Sequence, residues 1–248
     1  MIVSSFKNFD KPIITVNDFY GKQNKICDIC IITFSKEIIK LAIEKFNAKK
    51  ISEIKNCNFN IPIYLFEVDK LKIGIYVSSL GSAIASMNVI EANCLIGSDK
   101  FIMFGSAGSL DEEKTKNKYV IPTYSYRDEG MSYHYVEPED YIKIENSKDV
   151  INIFDELKIP YVEGKIWTTD AIYMETEKNV DDRKKDGCIA VDMEVAGVQA
   201  VCKYYNFSLY NFLETGDVLS NDYTIDGLDK ANHSFDKFYI GIEIAKRI

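Results

Sequence analysis

Short apolar runs that stop at glycine or a carboxylate, each followed by a helical pattern, constrain this chain more than any other feature. Runs at 26–33, 61–68, 71–78, 100–104, 118–126, 161–168, 189–192 and 207–215 read as strands. Several lack the polar alternation of a half-wet sheet and suit a sheet covered on both faces. Over 35–47 the period switches to that of a helix, with Ile38, Ile39, Ala42, Ile43 and Phe46 on one face. A small-residue helix opens at Gly81 and runs to about 96; others are expected at 147–157, 175–186, 194–205 and 228–247. Strands alternating with helices predict an α/β fold: a three-layer α/β/α single domain over 1–248 with a central mixed, mainly parallel sheet and an irregular N-terminal extension over 1–25. In such sheets ligands gather where strands end. That points to 78–82, 104–109, 168–175, 214–222 and the start of the 194–205 helix.

Composition narrows the function. The 248 residues are 46% hydrophobic and 27% charged, enough for a large core without staples. Thirty Lys and Arg against 38 Asp and Glu leave a net charge of −8, which disfavours a nucleic acid or an anionic membrane as the main partner. A small anionic substrate held by backbone dipoles remains compatible with it. No apolar run approaches the ~18–20 residues of a membrane span. The first twenty residues, with Lys7, Asp10, Lys11 and Asp18, show no apolar leader, so a cytoplasmic location is expected. Cys27 and Cys30 form a lone C-x-x-C inside a strand-like run with no second pair at zinc spacing. All six cysteines are read as reduced, and no metal or cofactor is expected. With His134 and His233 as the two histidines, a zinc hydrolase or a Ser-His-Asp triad has little to draw on. Any catalysis falls to carboxylates and backbone.

Three strand ends carry candidate chemistry. Gly105-Ser106-Ala107-Gly108 follows a strand and reads either as a tight turn or as backbone donors with a hydroxyl facing an anion. Asp192-Met193-Glu194 stands where a strand meets a helix. There Glu194 is either a cap-region carboxylate favoured by the helix dipole or an acceptor for two vicinal hydroxyls, with the Met193 thioether against a sugar. Asp217, after Gly216 at another strand end, is either an Asx turn or a placed acid. Asp170 reads as a turn or cap residue and Trp167 as core.

The ordered set Leu80-Gly81, Gly105-Ser106-Ala107-Gly108, Thr169-Asp170-Ala171, Val191-Asp192-Met193-Glu194 and Gly216-Asp217 resembles the nucleoside phosphorylase/nucleosidase superfamily, in register from about residue 26 to the last helix. Arg127-Asp128-Glu129-Gly130-Met131-Ser132-Tyr133-His134-Tyr135 is similar to a stretch found in uridine phosphorylases and their relatives. The resemblance implies cleavage of a nucleoside's N-glycosidic bond through an oxocarbenium-like sugar. On it, Glu194 binds the ribose 2′ and 3′ hydroxyls, Met193 packs on the sugar beside Asp192, and Asp217 protonates the leaving base. Thr169, Ile172 and Tyr173 frame the base, and Gly81, Gly105 and Ser106 line the nucleophile site. A homo-oligomer, dimer or hexamer, is also implied.

The chain departs from the family where phosphate is held. The loop after the first strand, Thr33-Phe34-Ser35-Lys36-Glu37-Ile38, and Met103 stand where phosphorylases place arginines, the bidentate partners of phosphate. Lys36 is a substitute point charge. Glu37 falls within a residue of the place where nucleosidases set a base, and it also reads as a solvated helix-start carboxylate. Ile172 stands where the family commonly has phenylalanine, and Thr176 and Lys178 replace the Gln-x-Arg pair that holds a pyrimidine. Glu175 is free to accept from a base N–H. These residues favour a purine. The expected activity is phosphorolysis to free base and sugar 1-phosphate, with phosphate as co-substrate. Hydrolysis and mere nucleoside binding are the alternatives.

Overall fold

The computed structural model describes residues 2–6, 11–21, 25–219, 224–225 and 227–248. Its strands are β1 Ile29–Thr33, β2 Lys49–Ile54, β3 Ile61–Val68, β4 Leu71–Val77, β5 Lys100–Ser109, β6 Tyr119–Asp128, β7 Tyr141–Lys143, β8 Tyr161–Thr169, β9 Cys188–Asp192 and β10 Ser208–Val218. The helices are α1 Val16–Tyr20, α2 Lys36–Phe46, α3 Ser82–Ile96, α4 Glu112–Thr115, α5 Ser147–Leu157, α6 Glu177–Lys185, α7 Val195–Tyr205, α8 Leu228–His233 and α9 Asp236–Ala245. The strands form one mixed sheet ordered β10-β6-β8-β9-β5-β1-β4-β3-β2, with β7 on β6. β10 also pairs with β5, so five strands close into a ring. Pairs β1–β4, β1–β5, β5–β10, β6–β8 and β8–β9 are parallel; the β2–β3–β4 edge is antiparallel.

Two cores make the three layers. On one face α3 and α7 pack Ala85, Val89, Val195, Val198 and Cys202 against the sheet. On the other, α2, α5 and α9 supply Ile38, Leu41, Val150, Phe154 and Phe238. β1 is buried along its whole length, as its unbroken apolar run predicts for a covered parallel strand. Cys30 lies in β1 and Cys27 just before it; both are buried thiols, and burial pushes Cys27 up to about 11 and Cys30 well above its ordinary value. Neither is poised for redox chemistry, in keeping with the core reading. No helix among the described residues is long and apolar enough to cross a membrane.

Four local readings change. The segment 105–108 does not turn: it continues β5, in parallel register with β10 through Ser109. The closing helix breaks in two, α8 ending at His233 and α9 starting at Asp236. A short helix, α1, stands in the N-terminal segment expected to be irregular. β2 pairs with β3 although its sequence shows no apolar run. The 214–222 strand end lies outside the described residues from 220 onward.

Candidate active site

β9 is buried at every residue and delivers Asp192-Met193-Glu194 to the start of α7. Asp192, not Glu194, satisfies the open backbone donors there. Its carboxylate accepts from the N–H groups of Glu194 at 2.9 Å and Val195 at 2.8 Å, and from Thr168 Oγ1 at 2.5 Å. Glu194 is thereby relieved of capping and reaches across to α3, where its Oε1 accepts the Gly81 N–H at 2.7 Å. Gly81 has φ +100°, a conformation that favours glycine, so this residue cannot readily be exchanged. Glu194 is 7% exposed; burial, then the neighbouring charge of Asp192, raises its carboxyl well above the usual range. Burial also raises Asp192, against its three donors. Both carboxyls are thus pushed up by burial, and hydrogen-bond donors arriving at Glu194 would favour its ionised form. Two sugar hydroxyls are such donors. Met193 is half-buried, and its carbonyl accepts Ser82 Oγ at 3.0 Å.

Asp217 is placed by a β-bulge. The β5–β10 register shifts between Thr215 and Asp217, so Asp217 stands opposite Gly108. A Cβ on Gly108 would run into the side chain of Leu219, just past β10, and stand 3.0 Å from Val191 Cγ1, and one on Gly216 would meet Ala231 and Leu228 of α8 at 2.9 Å. The two glycines thus let the acid-bearing strand lie close to β5 and α8. Glu175 faces the same region: burial, then the charge of Asp217, pushes its carboxyl up to about 7.

The expected base frame is only partly assembled. Thr169 is buried, donating to Asp128 Oδ2 at 3.1 Å and accepting the Ala171 N–H at 3.2 Å. Ile172 and Tyr173 occupy a 3-10 turn, Ile172–Met174, and are 50% and 97% exposed. Trp167 is core, with its indole N–H on Asp128 Oδ2 at 3.0 Å, and Asp170 accepts the Gly130 N–H at 2.9 Å as a turn residue. His134 is exposed on the Ser132–His134 turn.

Where the sequence sets the nucleophile site, Ser106 Oγ donates to Asn232 Oδ1 at 2.5 Å, and Ser35 Oγ lies 2.7 Å from His233 Nδ1. Adjacent residues of α8 thus reach hydroxyls on two different segments, β5 and the loop after β1. Neither Asn232 nor His233 stands out in the sequence. A signal is there all the same: Ser234-Phe235-Asp236 interrupts the helical run with cap-forming residues. Lys36 is exposed at the start of α2, and Glu37, partly exposed, pairs with the exposed Lys40 at 2.7 Å.

The chain has three arginines, each with partners of its own, and Arg127 Nη2 is buried without a hydrogen-bond partner. Arg127 is buried; it donates from Nε to Ser132 Oγ at 2.8 Å and from Nη1 to the carbonyls of Glu137 and Glu139 at 2.7 and 3.1 Å, and it stacks on Tyr133. Arg183 lies over Tyr126 and pairs with Asp186 at 3.0 Å. Arg247 pairs with Glu156 and Glu243.

Comparison with known proteins fits this arrangement. A family model described as the phosphorylase superfamily matches residues 28–239. The chain belongs to that superfamily. A DeoD-type purine nucleoside phosphorylase of Buchnera aphidicola is 21% identical over 90% of this chain and 96% of its own. A 5′-methylthioadenosine/S-adenosylhomocysteine nucleosidase of the same organism is 25% identical over 86% and 95%. An uncharacterized protein of Acanthamoeba polyphaga mimivirus, R802, is 26% identical over 64% of each chain. This superfamily chain is thus similar to relatives named as phosphorylase and as nucleosidase alike.

Proposed function

We propose that the chain hydrolyses the N-glycosidic bond of a purine nucleoside, with water in place of phosphate. The disposition of the three arginines carries this reading. Phosphate is held best by bidentate guanidinium groups. Here Arg127 is tied into the 132–139 segment, while Arg183 and Arg247 are paired on other surfaces. What meets Ser106 and Ser35 instead is an amide and an imidazole, with no guanidinium beside them among these contacts.

In this reading Glu194 accepts the two ribose hydroxyls, releasing to solvent any proton it holds as they bind, and Met193 lies on the sugar. As the bond from C1′ to the base nitrogen lengthens, its electron pair moves to the base, and Asp217 protonates the base as it leaves. Glu175, held partly protonated near neutrality, offers or accepts one more hydrogen bond at the base edge. Water adds to C1′ from the Gly81, Gly105 and Ser106 side, its proton passes to solvent, and Asp217 takes a proton back from solvent to restore the acid. The products are free base and free sugar. The nucleosidase relative supports this reading, and the phosphorylase relatives support the phosphate route that the sequence first suggests.

The test incubates the purified protein with adenosine, guanosine, inosine and uridine, with and without phosphate, and identifies the sugar. Free sugar from a purine nucleoside without phosphate is the expected result. Sugar 1-phosphate formed only with phosphate would overturn hydrolysis. In Asp217→Asn, kcat should fall by about 100- to 10,000-fold with nucleoside still bound. Binding without turnover in the wild type would leave a nucleoside-binding protein.

A further inference from the structure

Lys237, in the first turn of α9, is only 1% exposed and lies outside the mechanism above. Burying an ammonium is expensive, and an apolar residue of similar size is commonly as stable or more so. Its surroundings supply a reason for keeping it. The Lys237 Nζ donates to the carbonyl of Gly105 at 3.4 Å and to the carbonyl of Ala231, and it lies 3.4 Å from Glu214 Oε2. In the β5–β10 ladder Glu214 stands opposite Ser106, and Leu213 opposite Gly105. The buried cation therefore sits at the register position of the nucleophile segment.

The two carbonyls matter because each shares its peptide plane with the N–H of the next residue. A peptide unit is planar, so fixing the oxygen of residue 105 also fixes the direction of the Ser106 N–H, and fixing that of residue 231 fixes the Asn232 N–H. Ser106 and Asn232 are the residues whose side chains bond each other at 2.5 Å. One ammonium thus sets two peptide planes, one in β5 and one in α8, whose next residues meet at the nucleophile end. Glu214 offsets part of the burial that lowers the proton affinity of that ammonium.

We propose that Lys237 is a positioning residue of the nucleophile subsite, aligning the Gly105–Ser106 peptide with the Asn232–His233 end of α8. The assignment of that subsite rests on the hydrolase reading given above; the alignment itself does not.

The experiment compares wild type with Lys237→Met and with the double variant Lys237→Met/Glu214→Gln, which removes the carboxylate that the first change would leave buried and unpaired. Backbone hydrogen exchange is followed at 104–108 and 228–234, with 61–77 as control. On adenosine, guanosine and inosine, kcat and KM are measured separately. In both variants exchange should rise about tenfold or more at the two segments and stay unchanged in the control. The kcat should fall about 100-fold with KM within about threefold, as for loss of alignment rather than of substrate contact. The double variant should regain thermal stability but neither protection nor kcat. Recovery of both would overturn the proposal and reduce Lys237 to a counterion of Glu214; wild-type exchange and kcat in Lys237→Met would overturn it too. A wild type without turnover would end the hydrolase reading, and the exchange measurement would still decide the role of Lys237.

Discussion

At the sugar end, Glu194 is held by a backbone N–H and sits beside an aspartate that three donors fix in place, all on β8, β9 and the N-termini of α3 and α7. At the nucleophile end, Ser35 and Ser106 are met by side chains of a six-residue helix next to a stretch of chain outside the described residues. Elements packed in the core hold the first region, and surface side chains with one buried ammonium hold the second. Backbone donors lose no rotamer freedom when a ligand arrives, whereas side-chain pairs must be ordered or exchanged. The end proposed to hold the sugar is therefore the more rigidly prepared of the two. The nucleophile end is where relatives of one fold can differ in what they admit.

The sharpest way to break this contrast is Glu194→Gln. The amide keeps the shape and can still accept the Gly81 N–H, but it no longer presents an anionic acceptor to two hydroxyls. A site built to hydrogen-bond a hydroxyl pair should lose on the order of 100-fold in kcat/KM on a purine nucleoside. Steady-state kinetics beside a thermal melt check it. A loss under about threefold in a folded variant would make Glu194 a structural acceptor of Gly81 only, and the sugar end would lose its special standing.

The two regions are also unequally legible in the sequence. Asp192-Met193-Glu194 and Gly216-Asp217 lie at strand ends that apolar runs mark clearly, and the structure brings them to the same end of the sheet ring. Which carboxylate caps α7 is not legible: both residues suit a helix start, and only the path of the chain gives the job to Asp192. The nucleophile end depends on contacts across 126 residues, Ser106 to Asn232, and across 198, Ser35 to His233, which no local pattern encodes. β2 escapes a reading by apolar runs because Lys49, Lys50, Ser52 and Glu53 make an edge strand polar, as charged edges commonly are. The glycines of 105–108 suggest a turn; Gly105 is needed for close approach instead, since a Cβ there would stand 3.2 Å from the Phe34 ring.

Glu175 gives a smaller effect that sharpens the description of the base end. Its carboxyl rises from 4.5 to about 7 on folding, because of burial and then Asp217. Between those values the folded state binds more protons than the unfolded one, so stability falls as pH rises through that window. Below pH 4.5 the group contributes nothing; above 7 it is ionised in the fold at a cost. In Glu175→Gln the melting temperature should match wild type near pH 4.5 and exceed it at about pH 8. Parallel melting curves across that range would show that Glu175 does not share its surroundings with Asp217.

The smallest expected effect is at Glu37, and it tests the nucleophile end by exclusion. The sequence offers Glu37 as the base that would take a proton from water, because it lies within a residue of the nucleosidase position. In the structure it lies in the first turn of α2, where the helix dipole favours a carboxylate, and it pairs with the exposed Lys40 one turn on while itself partly exposed. Exposed pairs of this kind contribute little to stability. Glu37→Gln should therefore leave kcat/KM within about twofold and shift stability by no more than about 0.5 kcal/mol. A general base, by contrast, is worth about 100- to 10,000-fold. A loss of that size with an unchanged melt would place the water's proton acceptor on the loop after β1. The two ends would then prove equally dependent on a carboxylate.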